Sequence, residues 1–282
     1  MYSLHNIDCL EHMLSMEPGS VDAILTDLPY GTTACAWDTV IPFEPMWEAV
    51  KHVLKPDGAF VTTASQPFVS LLVTSNLKYF KYIWIWDKNT GANFASVNFK
   101  PLITAEEILV FSEGASTFVK NSTNMKYNPQ KQAKDKPYVK NHSRSYSTKA
   151  APLRSKRPDY VEYTHDYPKN ILRIPVRTTQ SDVMGRVHPT QKPVALYKYL
   201  VQTYTNPGDT VLDMCMGSGT TGVACIETGR DFIGCETDEK HFQTAEKRIE
   251  EASLQGQLFE PPSHANNAMN AEQNRCQQLT IL

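Results

Sequence analysis

Residues 210–227 read TVLDMCMGSGTTGVACIE. A short β-branched apolar run, TVLDM at 210–214, gives way to Gly217-Ser218-Gly219-Thr220-Thr221-Gly222, a literal G-x-G-x-x-G, and then to a stretch of helical composition. Strand, glycine turn and helix in this order open a nucleotide-binding α/β unit, because glycine permits the tight turn and lets the backbone approach a ligand closely. DFIGCE at 231–236 reads as the next strand and ends on Glu236, nineteen residues beyond Gly217, where an acid can hold the two hydroxyls of a ribose. Taken alone the motif suits a dinucleotide, another adenosine-containing cofactor, or a glycine turn needed only to pack helix on strand. Asp213 narrows the choice. Its charge just before the turn repels a pyrophosphate and attracts an ammonium or sulfonium, which favours S-adenosylmethionine over NAD.

The same alternation continues outward from this unit. SVDAILT at 20–26 is a strand that runs into the tight turn Asp27-Leu28-Pro29-Tyr30-Gly31. Phe43, Met46, Trp47, Val50, Val53 and Leu54 fall at helical spacing and are stopped by Lys55-Pro56-Asp57-Gly58, after which AFVTTA is a strand. A helix opens at Phe68, and YIWIW at 82–86 and EILVF at 107–111 are buried-type strands. Pro193 to Tyr204 and Glu239 to Ala252 are helices. Helices alternating with strands predict an α/β fold around a mostly parallel sheet with helices on both faces, and ligands at the carboxyl ends of its strands.

Between Ser112 and Asp182 the periodicity is lost, and the stretch is too long for a plain connection. It reads as an insertion with its own function. Lys120 to Arg177 carries fourteen Lys/Arg against four Asp/Glu, an excess of ten positive charges, while the rest of the chain stands at −12. Tyr127, Tyr138, Tyr146, Tyr160, Tyr163 and Tyr167 are interleaved with this charge. A cationic block carrying stacking side chains points to a polyanion partner rather than to a merely solvated loop. Residues 255–282, rich in Gln, Asn and Pro, are expected to be a mobile tail.

At 282 residues, with 41% hydrophobic and 21% charged, the chain has the composition of an ordinary globular protein, so disorder and a disulfide scaffold are excluded. The six cysteines show no C-x-x-C pair and no clustered Cys/His spacing, which predicts reduced thiols and no metal. The start MYSLHNIDCLEH lacks a basic region followed by an apolar run, and no stretch approaches the ~18 apolar residues of a membrane span. A cytoplasmic location is therefore expected.

Asp27-Leu28-Pro29-Tyr30 by itself is no more than a strand-ending turn with an Asp cap. Its company gives it meaning. A D-P-P-Y type tetrapeptide, a variable recognition region, His188-Pro189-Thr190-Gln191-Lys192-Pro193 and D-x-x-x-G-S-G-T-T occur here in that order. In this the chain resembles the amino-group DNA methyltransferases, in the permuted group whose catalytic motif precedes the cofactor motif. The resemblance extends from about Asn6 to Ala252. Three departures are visible: Leu28 in place of the usual first proline, Ile7 where glycine is common, and Met214-Cys215-Met216 in place of a Pro-Phe-Ala type run.

The resemblance implies a seven-stranded methyltransferase sheet of the Rossmann-like kind. Residues 1–111 would form its catalytic half, 112–182 a target-recognition insertion, and 183–254 the S-adenosylmethionine-binding half. It implies a sequence-specific enzyme that flips adenine out of duplex DNA and transfers methyl directly to N6. The alternatives are cytosine N4, RNA methylation and a silent nucleic-acid binder. An exocyclic amine is a poor nucleophile because its lone pair is delocalised into the ring. Acceptors at the Asp27 carboxylate and the Leu28 carbonyl would turn it toward tetrahedral geometry. Pro29 would stiffen the turn, and Tyr30 would stack on the extruded base. A cytosine C5 enzyme needs a nucleophilic cysteine, typically after proline, and none of the six follows one.

For the cofactor, the resemblance places Asp8 at the adenine amine, Asp213, Met214 and Gly217 to Thr221 around the methionyl part, and Glu236 on the ribose. His188, Thr190 and Lys192 would line the same site, with the Lys192 charge near DNA phosphate. Trp86-Asp87-Lys88 and Phe94 would border the target base, with core packing the preferred reading for Trp86. Duplex DNA is the expected partner, joined by a cognate restriction endonuclease if the enzyme belongs to a modification pair. No motif for a particular DNA sequence is legible.

Overall fold

The computed structural model describes residues 1–31, 38–92, 94–141, 160–176 and 191–259. In chain order the elements are β1 (Tyr2–His5), α1 (Cys9–Ser15), β2 (Val21–Thr26), α2 (Phe43–Val53), β3 (Leu54–Ala64), α3 (Phe68–Ser75), β4 (Phe80–Ala92), a 3-10 turn (Phe94–Ser96) and β5 (Ile103–Phe111). Then follow β6 (Gln132–Asn141), β7 (Tyr160–Asp166), β8 (Ile171–Arg173), α4 (Val194–Tyr204), β9 (Thr210–Asp213), α5 (Thr220–Glu227), β10 (Asp231–Cys235) and α6 (Glu239–Phe259).

Eight strands form the main sheet in the order β1-β10-β9-β2-β3-β5-β4-β8. The run from β1 through β3 is parallel throughout, β5 is antiparallel to both its neighbours, and β8 is parallel to β4. Side chains that alternate along the strands feed two separate cores. Ala23 and Leu25 of β2 pack with Leu196, Ala224 and Ile249 from α4, α5 and α6. Ile24 packs on the other face with Met13, Met46 and Leu72 from α1, α2 and α3. Helices therefore cover both faces, and each polar strand end is left to the rim of the sheet.

Local chemistry sets the element ends. The Asp8 carboxylate caps α1 by accepting from the Leu10 and Glu11 N–H groups at 2.9 and 3.2 Å. Pro56 bars the residue before it from helical geometry. The chain consequently turns extended at Leu54 and draws Lys55 to Gly58, expected as a plain stop, into β3. Gly58 is required there, since a Cβ would stand 2.7 Å from the Asp22 carbonyl oxygen.

The strand count is eight rather than seven because Ile171–Arg173, inside the stretch read as an insertion, pairs with β4. Three residues with one buried side chain, Leu172, carry too little periodicity to be seen in the sequence. The β6–β7 hairpin was equally invisible. Its strands carry Lys134, Lys136 and Lys140, and they form a separate two-stranded sheet steadied by the Tyr138–Tyr163 stack, with ring centroids 5.0 Å apart at 10°. Residues 255–259, expected to belong to a mobile tail, continue α6, and the rest of that tail lies outside the described residues.

The insertion is pinned where it leaves the sheet. Lys126 Nζ bridges Asp22 Oδ1 at 3.0 Å and Asp209 Oδ2 at 2.6 Å, and Asp22 also accepts from Lys55 at 2.8 Å. Burial alone would push the Asp22 carboxyl up, but Lys55, the Thr210 N–H and Lys126 together hold it below its usual value. Two residues on, Asn128 Nδ2 donates at 3.0 Å to the Thr205 carbonyl just beyond α4, which also accepts from Arg230 at 2.8 Å. Among the described residues no helix is long and apolar enough to cross a membrane.

Candidate active site

The strand order has a switch point. From β9 the chain proceeds through α5 to β10 on one side, and from β2 through α2 to β3 on the other, so the crossovers diverge between β9 and β2. Crevices at such points, outside the carboxyl ends of the strands, are where open α/β sheets bind ligands. Asp213 ends β9, Asp27 follows β2, Glu236 follows β10, and Asp8 lies just past β1. Four candidates far apart in sequence thus share one rim.

Asp27 is the most heavily contacted of them. The β2–β3 register pairs Thr26 with Thr62, which sets Thr63 beside Asp27. Asp27 Oδ1 accepts from the Thr63 hydroxyl and, at 2.7 Å, from the Tyr30 hydroxyl, which itself lies 3.1 Å from Thr63 Oγ1. Asp27 Oδ2 accepts from Lys192 Nζ at 2.6 Å. Burial first, and then the charges of Asp27 and Glu106, push the Tyr30 phenol well above its ordinary pKa, so it stays a donor. One face of the Tyr30 ring stacks on Phe68, centroids 5.3 Å apart, and Lys192 Nζ lies 5.8 Å from its centroid. Leu28 is buried among α1, α2 and α3 side chains, which fixes the turn in place of the missing proline.

The residues behind this turn belong to no motif of the sequence. Tyr197 of α4 is buried behind it, and burial, with the charges of Asp27 and Asp213, lifts its phenol well above normal. Glu106 of β5 accepts from Lys88 Nζ at 2.8 Å and has its other oxygen 3.6 Å from Lys192 Nζ. Polar residues at one end of otherwise apolar strands, the carboxyl end of AFVTTA and the amino end of AEEILVF in antiparallel β5, are the signal that could have marked Thr63 and Glu106. Trp86 is core, with its Nε1 donating to the Ile174 carbonyl at 2.7 Å. Phe94 is exposed in the 3-10 turn after β4.

On the cofactor side Gly217 and Gly219 both adopt left-handed backbone, φ 50° and 75°, which only glycine takes without strain. A Cβ on Gly219 would lie 2.9 Å from that of Ala245, whereas one on Gly217 would meet nothing within 4 Å, so the turn is packed on one side and open on the other. Glu236 accepts from the Gly217 N–H at 2.9 Å and the Asp238 N–H at 2.9 Å, one on each oxygen. Asn6 Nδ2 donates to the Glu236 carbonyl at 2.8 Å, bringing the β1–α1 turn and Asp8 alongside. Asp213 is buried. It accepts from the Thr221 hydroxyl at 2.5 Å and the Cys215 N–H at 3.1 Å, and burial pushes its carboxyl up to about 7. It braces the glycine turn from inside, through Thr221 and the Cys215 N–H.

Met214 is buried in the core, Ser218 and Thr220 are nearly so, and the Ser218 carbonyl accepts from Arg248. Lys192, expected among the cofactor residues, makes its contacts with Asp27 and Glu106. His188 and Thr190 lie outside the described residues. Among the described residues no group of three or more His, Cys, Asp or Glu could hold a metal.

A glycine turn with a following acid on one side of a switch point, and a rigid D-x-P-Y turn on the other, define a Rossmann-like methyltransferase of the amino-group type. The chain belongs to the N6/N4 DNA methylase family, whose sequence model matches residues 21–247. It is 27% identical over 256 residues to the type II methyltransferase M1.MboII of Moraxella bovis, covering 86% of this chain and 94% of that one. It is 28% identical over 262 residues to the DNA adenine methyltransferase YhdJ of Escherichia coli (strain K12), covering 87% and 82%. Among solved structures, M1.HpyAVI matches with TM-score 0.52 at 25% identity, covering 88% of this chain and 98% of that one. The PvuII cytosine-N4-specific DNA methyltransferase shares the fold, with TM-score 0.59 at 17% identity over 92% of this chain and 93% of that one. The protein is thus an amino-group DNA methyltransferase.

Proposed function

We propose that this enzyme methylates the N6 amine of adenine at specific sites in duplex DNA, with S-adenosylmethionine as the methyl donor. The observation that carries the reading is Asp27, a carboxylate fixed by Thr63, Tyr30 and Lys192 at the open end of β2. Within the family resemblance, an acid in the first position of the tetrapeptide leans toward adenine and a serine toward cytosine. One relative, YhdJ, is named as an adenine enzyme.

The residues present fit the donor. Glu236 spends one acceptor direction on each oxygen, leaving others for ribose hydroxyls. The open side of Gly217 admits a ligand against the backbone. Among the described residues the rim near the turn carries the acids Asp8, Asp213 and Glu236, which suits a cationic donor better than a pyrophosphate. Asp8 and Glu236 would hold the nucleoside, and the 217–219 turn the methionyl end. When bound, S-adenosylmethionine supplies an electrophilic methyl group on a sulfonium, passed in line to the nucleophile without a covalent enzyme intermediate.

The chain's own work is on the amine. Asp27 and the Leu28 carbonyl accept its two N–H bonds, pull the nitrogen toward tetrahedral geometry and localise its lone pair. Asp27 then stands where the departing proton leaves. Phe68 and the hydroxyl contacts of Tyr30 hold that ring rigid as a platform for an extruded base. The basic β6–β7 arm and its neighbours neutralise phosphates, and its Asn, Gln, Arg and Tyr side chains read base edges. A cognate endonuclease is the natural partner of an enzyme whose relatives are type II methyltransferases.

The test is incubation with tritiated S-adenosylmethionine and unmethylated duplex DNA, followed by nucleoside mass spectrometry. N6-methyladenine is expected, falling by about 10³-fold or more in Asp27→Ala. N4-methylcytosine in its place would overturn the choice of base.

A further inference from the structure

Asp27 has more donors than a substrate amine alone would need. A carboxylate offers about four acceptor directions, two on each oxygen. Oδ1 already receives Tyr30 and Thr63, and Oδ2 receives Lys192. Among the described residues, one direction, on Oδ2, is left for a target amine.

The cation stands behind this oxygen. The Lys192 side chain is 11% exposed against 29% for Asp27, so the carboxylate lies nearer the crevice. Behind Lys192 the charges continue: Glu106 Oε2 at 3.6 Å, then Lys88 on the other Glu106 oxygen at 2.8 Å. The row Lys88, Glu106, Lys192, Asp27 alternates in sign and sums to zero. Burial would strip the proton from Lys192, yet Asp27 and Glu106 together raise its pKa above the ordinary value. A buried row of this kind is retained only if every member keeps its partner, since removing one leaves an uncompensated charge.

We infer that Lys192 is a positioning residue for methyl transfer, holding Asp27 Oδ2 so that its remaining acceptor direction faces the target amine, with Glu106 and Lys88 as the counter-charges that keep it there. Its role is toward the base and not the cofactor. An ammonium lining the donor site would face a sulfonium of like charge, and among the described residues the contacts of Lys192 run to the catalytic side. The inference rests on Asp27 being the group that holds the amine, and holds for N6 or N4 alike.

The experiment compares Lys192→Met, Lys192→Arg and the double variant Lys192→Met/Glu106→Gln with the parent enzyme, measuring kcat on duplex DNA and, separately, the Kd for S-adenosylmethionine by calorimetry. Lys192→Met is expected to lower kcat by about 10–100-fold with the cofactor Kd within about twofold. Lys192→Arg should recover most of the loss, and Glu106→Gln in the Lys192→Met background part of it by removing the surplus anion. Should Lys192→Met not fold, Lys192→Gln carries the same comparison, keeping a donor for Asp27 without the charge. A tenfold weaker cofactor Kd with kcat intact would return Lys192 to the cofactor site, and an unchanged kcat would end the proposal. Asp27→Ala in parallel separates the two levels: if it stays active, the reading of the catalytic turn fails, whereas loss there beside a normal Lys192→Met overturns only the role of Lys192.

Discussion

Asp213 and Asp27 end adjacent parallel strands, yet the two turns treat the same side chain in opposite ways. Asp213 is sealed among Thr221, Cys215 and the core, has no cation against it among the described residues, and is pushed up to about 7 by burial. Asp27 is half-open and is met by an ammonium at 2.6 Å. One carboxyl is placed to be neutral or charged according to its surroundings, while the other is kept in an ion pair. Environment, not residue type, divides the labour between two acids at one switch point. The turn after β9 keeps its acid inside, and the turn after β2 leaves its acid at the crevice.

Substitutions can break that contrast. The largest effect expected outside Asp27 and Lys192 is that of Thr63→Val, which keeps volume and removes the hydroxyl shared by Asp27 and Tyr30. It should lower kcat by about 10-fold or more with little change in melting temperature. Activity at the parent level would show that the carboxylate needs no second brace. Next is Gly222→Ala, on the packing side, where a Cβ would lie 2.4 Å from Ile249 Cδ1 and 2.8 Å from Phe232. Overpacking of this kind costs about 1–3 kcal/mol, read in chemical denaturation. An unchanged midpoint would mean that α5 and α6 separate freely.

The smallest effect sharpens the electrostatic half of the comparison. With Asp213 raised to about 7, the unfolded chain loses this proton near pH 4 while the folded chain keeps it. The group's contribution to stability is therefore fully present below pH 4, is lost as pH rises toward 7, and is flat above that. Asp213→Asn cannot titrate. Its unfolding free energy should gain on the parent between pH 5 and 7, by no more than about 1.4 kcal/mol per pH unit, read in chemical denaturation at each pH. Parallel curves for the two proteins would show that Asp213 ionises normally.

Much of this architecture was legible because it is periodic. SVDAILT, TVLDM and DFIGCE are apolar runs closed by a turn, and each is a strand within a residue or so of its expected bounds. The glycines and acids at their ends announced the rim of the sheet. What stayed hidden lacks either length or apolar contrast. Tyr2–His5 is four half-exposed residues, β8 is three, and β6 is dominated by lysine and polar side chains. The braces of Asp27 were hidden for another reason. Thr63, Glu106 and Lys192 meet only through strand register and a crossover, so no spacing in the chain connects them.

The clamp at Lys126 gives these strands a further meaning, that of a ruler. Its ammonium grips Asp22 at the start of β2 and Asp209 just ahead of β9, while the far ends of the same strands carry Asp27 and Asp213. Asp27 lies five positions on from Asp22, so at about 3.3 Å per residue the root of the inserted arm stands about 16 Å from the Asp27 carboxylate. That interval is cut in hydrogen-bonded sheet, and no change in the arm beyond Lys126 alters it. Insertions of very different sequence mounted on this clamp would all be measured from the same origin.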